Sequence, residues 1–140
     1  MTKPDAAPMA CLNGISPQFL VDDLPAAIAY YREKLGFGID FCYQSFYAGV
    51  SRDGITIHLK CAAKSVSDRA YRKAQEHLDA YISVSGGAAL YDEIRSRGAR
   101  IIRPLEERPW SCVDFYVEDL DGYTLCFSEA SGGNTEARTV

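Results

Sequence analysis

The sequence predicts an α+β domain made of two paired βαβββ modules. Two internal echoes and a single-domain composition lead there. RDGITIHLK (Arg52 to Lys60) and LDGYTLCFS (Leu120 to Ser128) both read Asp-Gly-x-Thr followed by an aliphatic residue, 68 positions apart. PAAIAYYREKLG and GAALYDEIRSRG are offset by 62, which matches Ala26 with Ala88 and Gly36 with Gly98. The echoes come in the same order in each half, as duplication of one unit requires. The chain has 140 residues, 47% hydrophobic and 24% charged, enough for one domain with a core.

Residues 15–61 form the expected first module. ISPQFLV (Ile15 to Val21) reads as its leading strand. Asp22 or Asp23 is placed to cap a helix with Pro25 in its first turn. Leu24, Ile28, Tyr31 and Leu35 give that helix an apolar stripe, and Gly36 suits a left-handed terminus. GIDFCYQ, FYAGVSR and GITIHLKC follow as strands, the last two joined at Asp53-Gly54. Residues 62–77 read as a polar linker with a helical second part.

Residues 78–130 repeat the plan. LDAYISV is the leading strand, Gly87 to Arg97 the helix, and Gly98 its end. ARIIRPL, SCVDFYVED and YTLCFSE are the strands, the last pair joined at Asp121-Gly122. Residues 1–14 and 131–140 are expected to be flexible ends. One helix covers one face of a four-stranded sheet. The two remaining faces are therefore expected to come together and enclose a ligand cleft.

Net charge is −4 and no long Lys/Arg run occurs, which argues against nucleic acid as a partner. No apolar stretch is long enough to span a bilayer, and the proline-containing start MTKPDAAPMACLNG is unlike a signal peptide. The five cysteines are odd in number and lack CxxC spacing, so they read as reduced and mainly structural in a cytoplasmic protein.

The chemistry-bearing residues are sparse. No spacing supports a Ser-His-Asp or Cys-His pair, and there is no glycine-rich phosphate loop. SGGAAL opens the second helix, where free amides attract anions. Phe41, Tyr43, Phe46, Tyr47, Trp110, Phe115 and Tyr116 crowd the strands. Alternation sets Phe41 and Tyr43 on one face, and Cys112, Asp114 and Tyr116 together on another. Many such aromatics belong to a core. Trp110, after EERP at the mouth of a strand, is placed for partial exposure.

FLVDDLPAAIAYYREKLGF and EDLDGYTLCFSE resemble the opening and closing motifs of the glyoxalase, bleomycin resistance and extradiol dioxygenase superfamily, also called vicinal oxygen chelate proteins. The resemblance covers about Ile15 to Ala130, with Leu120 where the family usually has Pro. LGFGIDFCYQSFYAGVSRDGITIHL and ERPWSCVDFYVEDLDG look most similar to the bleomycin resistance proteins. This implies a homodimer that sequesters a planar or cationic organic molecule in clefts built by both chains. It also implies that Trp110 stacks on the ligand. The expected ligand-binding residues are Trp110, Asp114, Tyr116, Phe41, Tyr43, His58, Asp79 and Cys126.

The superfamily's enzymes hold a divalent metal on four strand residues. Carried over by the resemblance, the matching positions are Ser16, His58, Asp79 and Cys126. Ser16 is a weak ligand, and a Cys, His and Asp set suits zinc better than the hard cations of dioxygenase chemistry. The reading is therefore binding without a resident metal. Its alternative is a glyoxalase-type lyase or dioxygenase using zinc, nickel, iron or manganese on this atypical set. His77 is a secondary candidate for the place of Asp79.

Overall fold

A computed structural model describes residues 9–62 and 67–131. Of the regions expected to be flexible ends or linker, residues 1–8, 63–66 and 132–140 lie outside the described residues. The first module comprises β1 (Gln18–Val21), α1 (Leu24–Lys34), β2 (Gly38–Tyr43), β3 (Tyr47–Arg52) and β4 (Ile55–Cys61). Helix α2 (Ser67–Ala74) follows. The second module comprises β5 (Ala80–Ser83), α3 (Gly87–Ser96), β6 (Arg100–Arg108), β7 (Cys112–Glu118) and β8 (Thr124–Ala130). The sheets run β1-β4-β3-β2 and β5-β8-β7-β6, the same topology twice. In each, the leading strand pairs parallel with the last strand of its own module, and the other pairs are antiparallel.

Local chemistry explains the element ends. The Asp23 carboxylate accepts the Ala26 amide at 3.1 Å, which caps α1 with proline in its first turn. Gly36, at φ +75°, turns the chain out of the helix. At α3 the cap comes from afar. Glu129 on β8 accepts the Gly86 and Gly87 amides at 3.1 and 2.8 Å, so this helix start already holds a carboxylate of its own chain.

The two Asp-Gly sites fold differently. Asp53-Gly54 is the two-residue hairpin expected: Arg52 pairs with Ile55, and both turn residues have positive φ. The expectation that Asp121-Gly122 joins β7 and β8 in the same way is corrected. Glu118 pairs with Thr124, so five residues intervene. Asp119 organises this loop, its carboxylate accepting the Asp121 and Tyr123 amides at 3.0 and 2.9 Å.

One core spans both modules and includes Phe19, Val21, Leu24, Tyr31, Val50, Leu59, Ile94, Phe115, Val117, Leu125 and Phe127. The seam is polar as well as apolar. Phe19 stacks on Tyr123 at 4.2 Å between ring centres. The Tyr31 hydroxyl donates to Asp119 at 2.7 Å, and Arg52 forms a two-pronged pair with Glu93 at 2.8 and 3.0 Å. These contacts join the helix-bearing sides of the sheets. The expectation that one chain encloses a cleft between its own two open faces is corrected accordingly. The helices face inward, because their stripes share one core, and the open sheet faces turn away from it.

Candidate functional site

The open face of the first sheet is aromatic. A register shift between Ile39 and Phe41 sets Phe41 opposite Gly49 and Tyr43 opposite Tyr47, and Gly49 in turn lies opposite His58. The Phe41 ring lies over Gly49, where an added Cβ would stand 2.4 Å from a ring carbon. Glycine is therefore what lets this ring lie down on the sheet. Phe41 meets His58 edge-on at 5.4 Å and Tyr47 nearly parallel at 6.0 Å. The Tyr47 hydroxyl lies 2.9 Å from His58 Nδ1 and accepts from Gln18 Nε2 at 2.8 Å. Phe41, Tyr43 and Phe46 remain 41%, 60% and 46% exposed.

The outer face of the second sheet is charged, tightly paired and largely buried, with Cys112, Asp114, Cys126 and Ser128 all below 10% exposed. Arg108 Nε donates to Asp114 at 2.9 Å, with Asp114 buried and the Arg108 side chain largely so, and its Nη2 donates to the Tyr116 hydroxyl at 3.2 Å. Burial works against the Arg108 charge, but the Asp114 hydrogen bond and charge outweigh it and raise its pKa. Burial likewise raises the Tyr116 phenol, partly offset by Arg108. The Arg108 guanidinium sits over the Trp110 ring at 5.4 Å and the Tyr116 ring at 5.6 Å. Trp110 is 59% exposed and stands in the turn between β6 and β7 rather than on a strand. It reaches Tyr116 through Arg108, not through strand parity.

Cys126 lies between Tyr81 and Tyr116 in the sheet register and is fully buried. Burial first, then the nearby Asp114 charge, pushes its thiol up to about 12, which makes it a neutral polar neighbour rather than a nucleophile.

The four positions carried over for a metal are dispersed. β1 begins at Gln18, so Ser16 precedes the strand, and Gln18 is the residue that faces His58 across the parallel pair. Asp79 precedes β5. It accepts the Thr124 amide at 2.8 Å and pairs with Arg72 at 2.8 Å. Ser16 and Asp79 line one cavity of about 460 Å³, which His58 and Cys126 do not reach. His77 is exposed. Among the described residues, no three His, Cys, Asp or Glu side chains gather closely enough to hold a metal ion. The donors present do not fit the family's ligand set within one chain.

Phe41, Tyr43 and His58 thus share the first open face, and Asp114, Tyr116 and Cys126 the second, with Trp110 at its rim. Among the described residues, none of four surface cavities is lined both by Phe41, Tyr43 or His58 and by Trp110, Asp114 or Tyr116. Sequence reasoning missed Gln18, Tyr47 as a polar partner, and Arg108. Cross-strand register was the signal needed, because each meets its partner only across a strand pair. No helix among the described residues is long and apolar enough to cross a membrane.

Comparison with curated protein sequences finds no match. The solved structures similar to the chain include three at low identity, which establish the fold alone. A glyoxalase-related enzyme from Clostridium phytofermentans superimposes with a TM-score of 0.69 at 17% identity, over 86% of this chain and 97% of its own. The bleomycin-binding protein from Streptomyces verticillus, complexed with copper(II)-bleomycin, gives 0.64 at 24% identity, over 89% and 100%. TioX from a Micromonospora species gives 0.65 at 18% identity, over 86% and 98%. Residues 15–127 match the family model, and the chain belongs to the glyoxalase/bleomycin resistance protein/dioxygenase superfamily.

Proposed function

We propose that this protein binds a planar organic molecule and sequesters it without transforming it. The clefts would be completed by a second copy of the chain. The observation that carries this reading is the set of large exposed rings on the outer sheet faces, Phe41, Tyr43 and Phe46 on the first and Trp110 at the rim of the second. Large exposed rings on a rigid sheet are an expensive arrangement unless something covers them. A neighbour of the same fold binds bleomycin, which supports a small-molecule ligand. Joining the first open face of one chain to the second of its partner would wall a cleft with aromatics on both sides. Such an assembly is closed and two-fold symmetric.

The same reading holds that no divalent metal resides in the site. His58 has Nδ1 engaged with Tyr47, Asp79 has both oxygens engaged, and the Cys126 thiol stays protonated. Metal analysis tests this most cheaply. Protein dialysed against nickel, zinc or iron is expected to retain far less than one equivalent per chain. Stoichiometric metal that is lost in His58→Ala would overturn the reading and favour a lyase or dioxygenase.

A further inference from the structure

The ladder of rings and guanidiniums on the second open face carries a statement about ligand charge. We infer that Arg108 is the positioning residue for Trp110, and that it sets the exposed indole face to select neutral or electron-rich planar rings over cations. This rests on the reading of Trp110 as a ligand platform.

Three observations combine. First, Arg108 is itself held rigidly. Its side chain is only 9% exposed, with Nε on Asp114 and Nη2 on the Tyr116 hydroxyl. A fork fixed at two points cannot swing away when a ligand arrives. Second, that fixed guanidinium lies over the Trp110 ring at 5.4 Å. Trp110 sits in a turn, followed by Ser111 at φ +66°, so no strand pairing holds the indole. The guanidinium packs on it instead. Third, the pattern continues. Tyr116 has Arg108 at 5.6 Å and Arg103 at 5.7 Å from its ring centre. Rings and cations therefore alternate from Trp110 through Arg108 and Tyr116 to Arg103.

An aromatic face attracts a cation through its negative π-cloud. Here that cloud already serves a cation from the protein. A second cation on the outer indole face would meet a polarised ring and a like charge behind it. An electron-rich neutral ring meets the opposite situation, since the cation behind the indole strengthens offset stacking. Asp114, buried and paired with Arg108, offsets part of that like charge, but it is the guanidinium that lies over the indole. The sequence-based expectation of a planar or cationic ligand thus narrows to a planar one.

The test uses two variants and two probes in the full-length protein. Arg108→Lys keeps a charge for Asp114 but removes the planar fork. Arg108→Met combined with Asp114→Asn removes both charges at similar volume, so no buried charge is left unpaired. Quinoline and N-methylquinolinium share a ring system and differ by one charge. Near-ultraviolet circular dichroism and acrylamide quenching of the single tryptophan report its orientation without any ligand. Both are expected to change in Arg108→Lys, with the indole band weakened and quenching faster. Unchanged signals there would overturn the positioning role. Calorimetric titration of the wild type is expected to favour quinoline over N-methylquinolinium by roughly five- to tenfold, with the preference reduced or inverted in the double variant. A wild-type preference for the cation, or a ratio unmoved in the double variant, would overturn the charge selection. If neither probe binds while Arg108→Lys disorders the indole, the positioning role stands and both the charge selection and the ligand-platform reading fall.

Discussion

Removing the hydroxyl of Tyr31 should destabilise the protein in a pH-dependent way. Tyr31 is fully buried and donates to Asp119 Oδ2 at 2.7 Å, while Asp119 Oδ1 accepts two loop amides. Tyr31→Phe leaves one oxygen of a buried carboxylate without its partner. A hydrogen bond to a charged group contributes about 1.5–3 kcal/mol. For a domain of this size that is a fall in Tm of roughly 5–15 °C. Burial pushes Asp119 up to about 6 from its ordinary 3.8, and the Tyr31 hydrogen bond is the largest of the effects pulling it back down. A carboxylate with a raised pKa contributes its stability below the ordinary value and loses it as pH rises through about 6. Without Tyr31 the pKa rises further, so the penalty grows above that value. Urea unfolding followed by far-ultraviolet circular dichroism, at fixed protein concentration, should show a larger loss at pH 8 than at pH 5. Equal losses at the two pH values, or a larger loss at pH 5, would refute the assignment of this contact as a hydrogen bond to an ionised carboxylate.

The remaining expectations follow from the open faces. Gly49→Ala places a Cβ 2.4 Å from the Phe41 ring, so it should lift that ring off the sheet and weaken ligand binding severalfold while leaving the helix-side core intact; unchanged affinity would remove Phe41 from the site. A disulfide-based thiol reagent should modify exposed Cys11 and Cys42 at once, and Cys112 and Cys126 only on unfolding, which mass spectrometry of the labelled peptides checks. Light scattering at micromolar concentration should return the mass of two chains, and a monomer would remove the two-chain cleft.

Much of the fold could be read directly, and the exceptions are instructive. Asp53-Gly54 declared its hairpin because a two-residue turn with positive φ has few sequence solutions. Asp121-Gly122 carries the same letters but belongs to a five-residue loop. There the buried Asp119 carboxylate organises the backbone, and only a residue two places upstream reveals it. Alternation correctly set Phe41 and Tyr43 on one face. It says nothing of Trp110, which is in a turn where strand parity has no meaning. Arg108 escaped notice because its partners lie across a hairpin whose register shifts twice, between Ile101 and Arg103 and between Arg103 and Glu106. The contact of the helix-bearing sides was also invisible, since an apolar stripe states that a face is buried but not which module buries it.

A protein that sequesters its ligand binds a planar molecule on its outer sheet faces and releases it unaltered. Titrating the protein with bleomycin and a panel of planar aromatics, while following the emission of Trp110, tests it most directly. Mass spectrometry of the recovered ligand completes the measurement. The expected result is a saturable change in emission for at least one ligand, weaker binding in Trp110→Ala by severalfold to a few tens of fold, and a ligand of unchanged mass. Tight binding by calorimetry with Trp110 emission unmoved and Trp110→Ala unaffected, or a ligand consumed in proportion to enzyme and time, would contradict it.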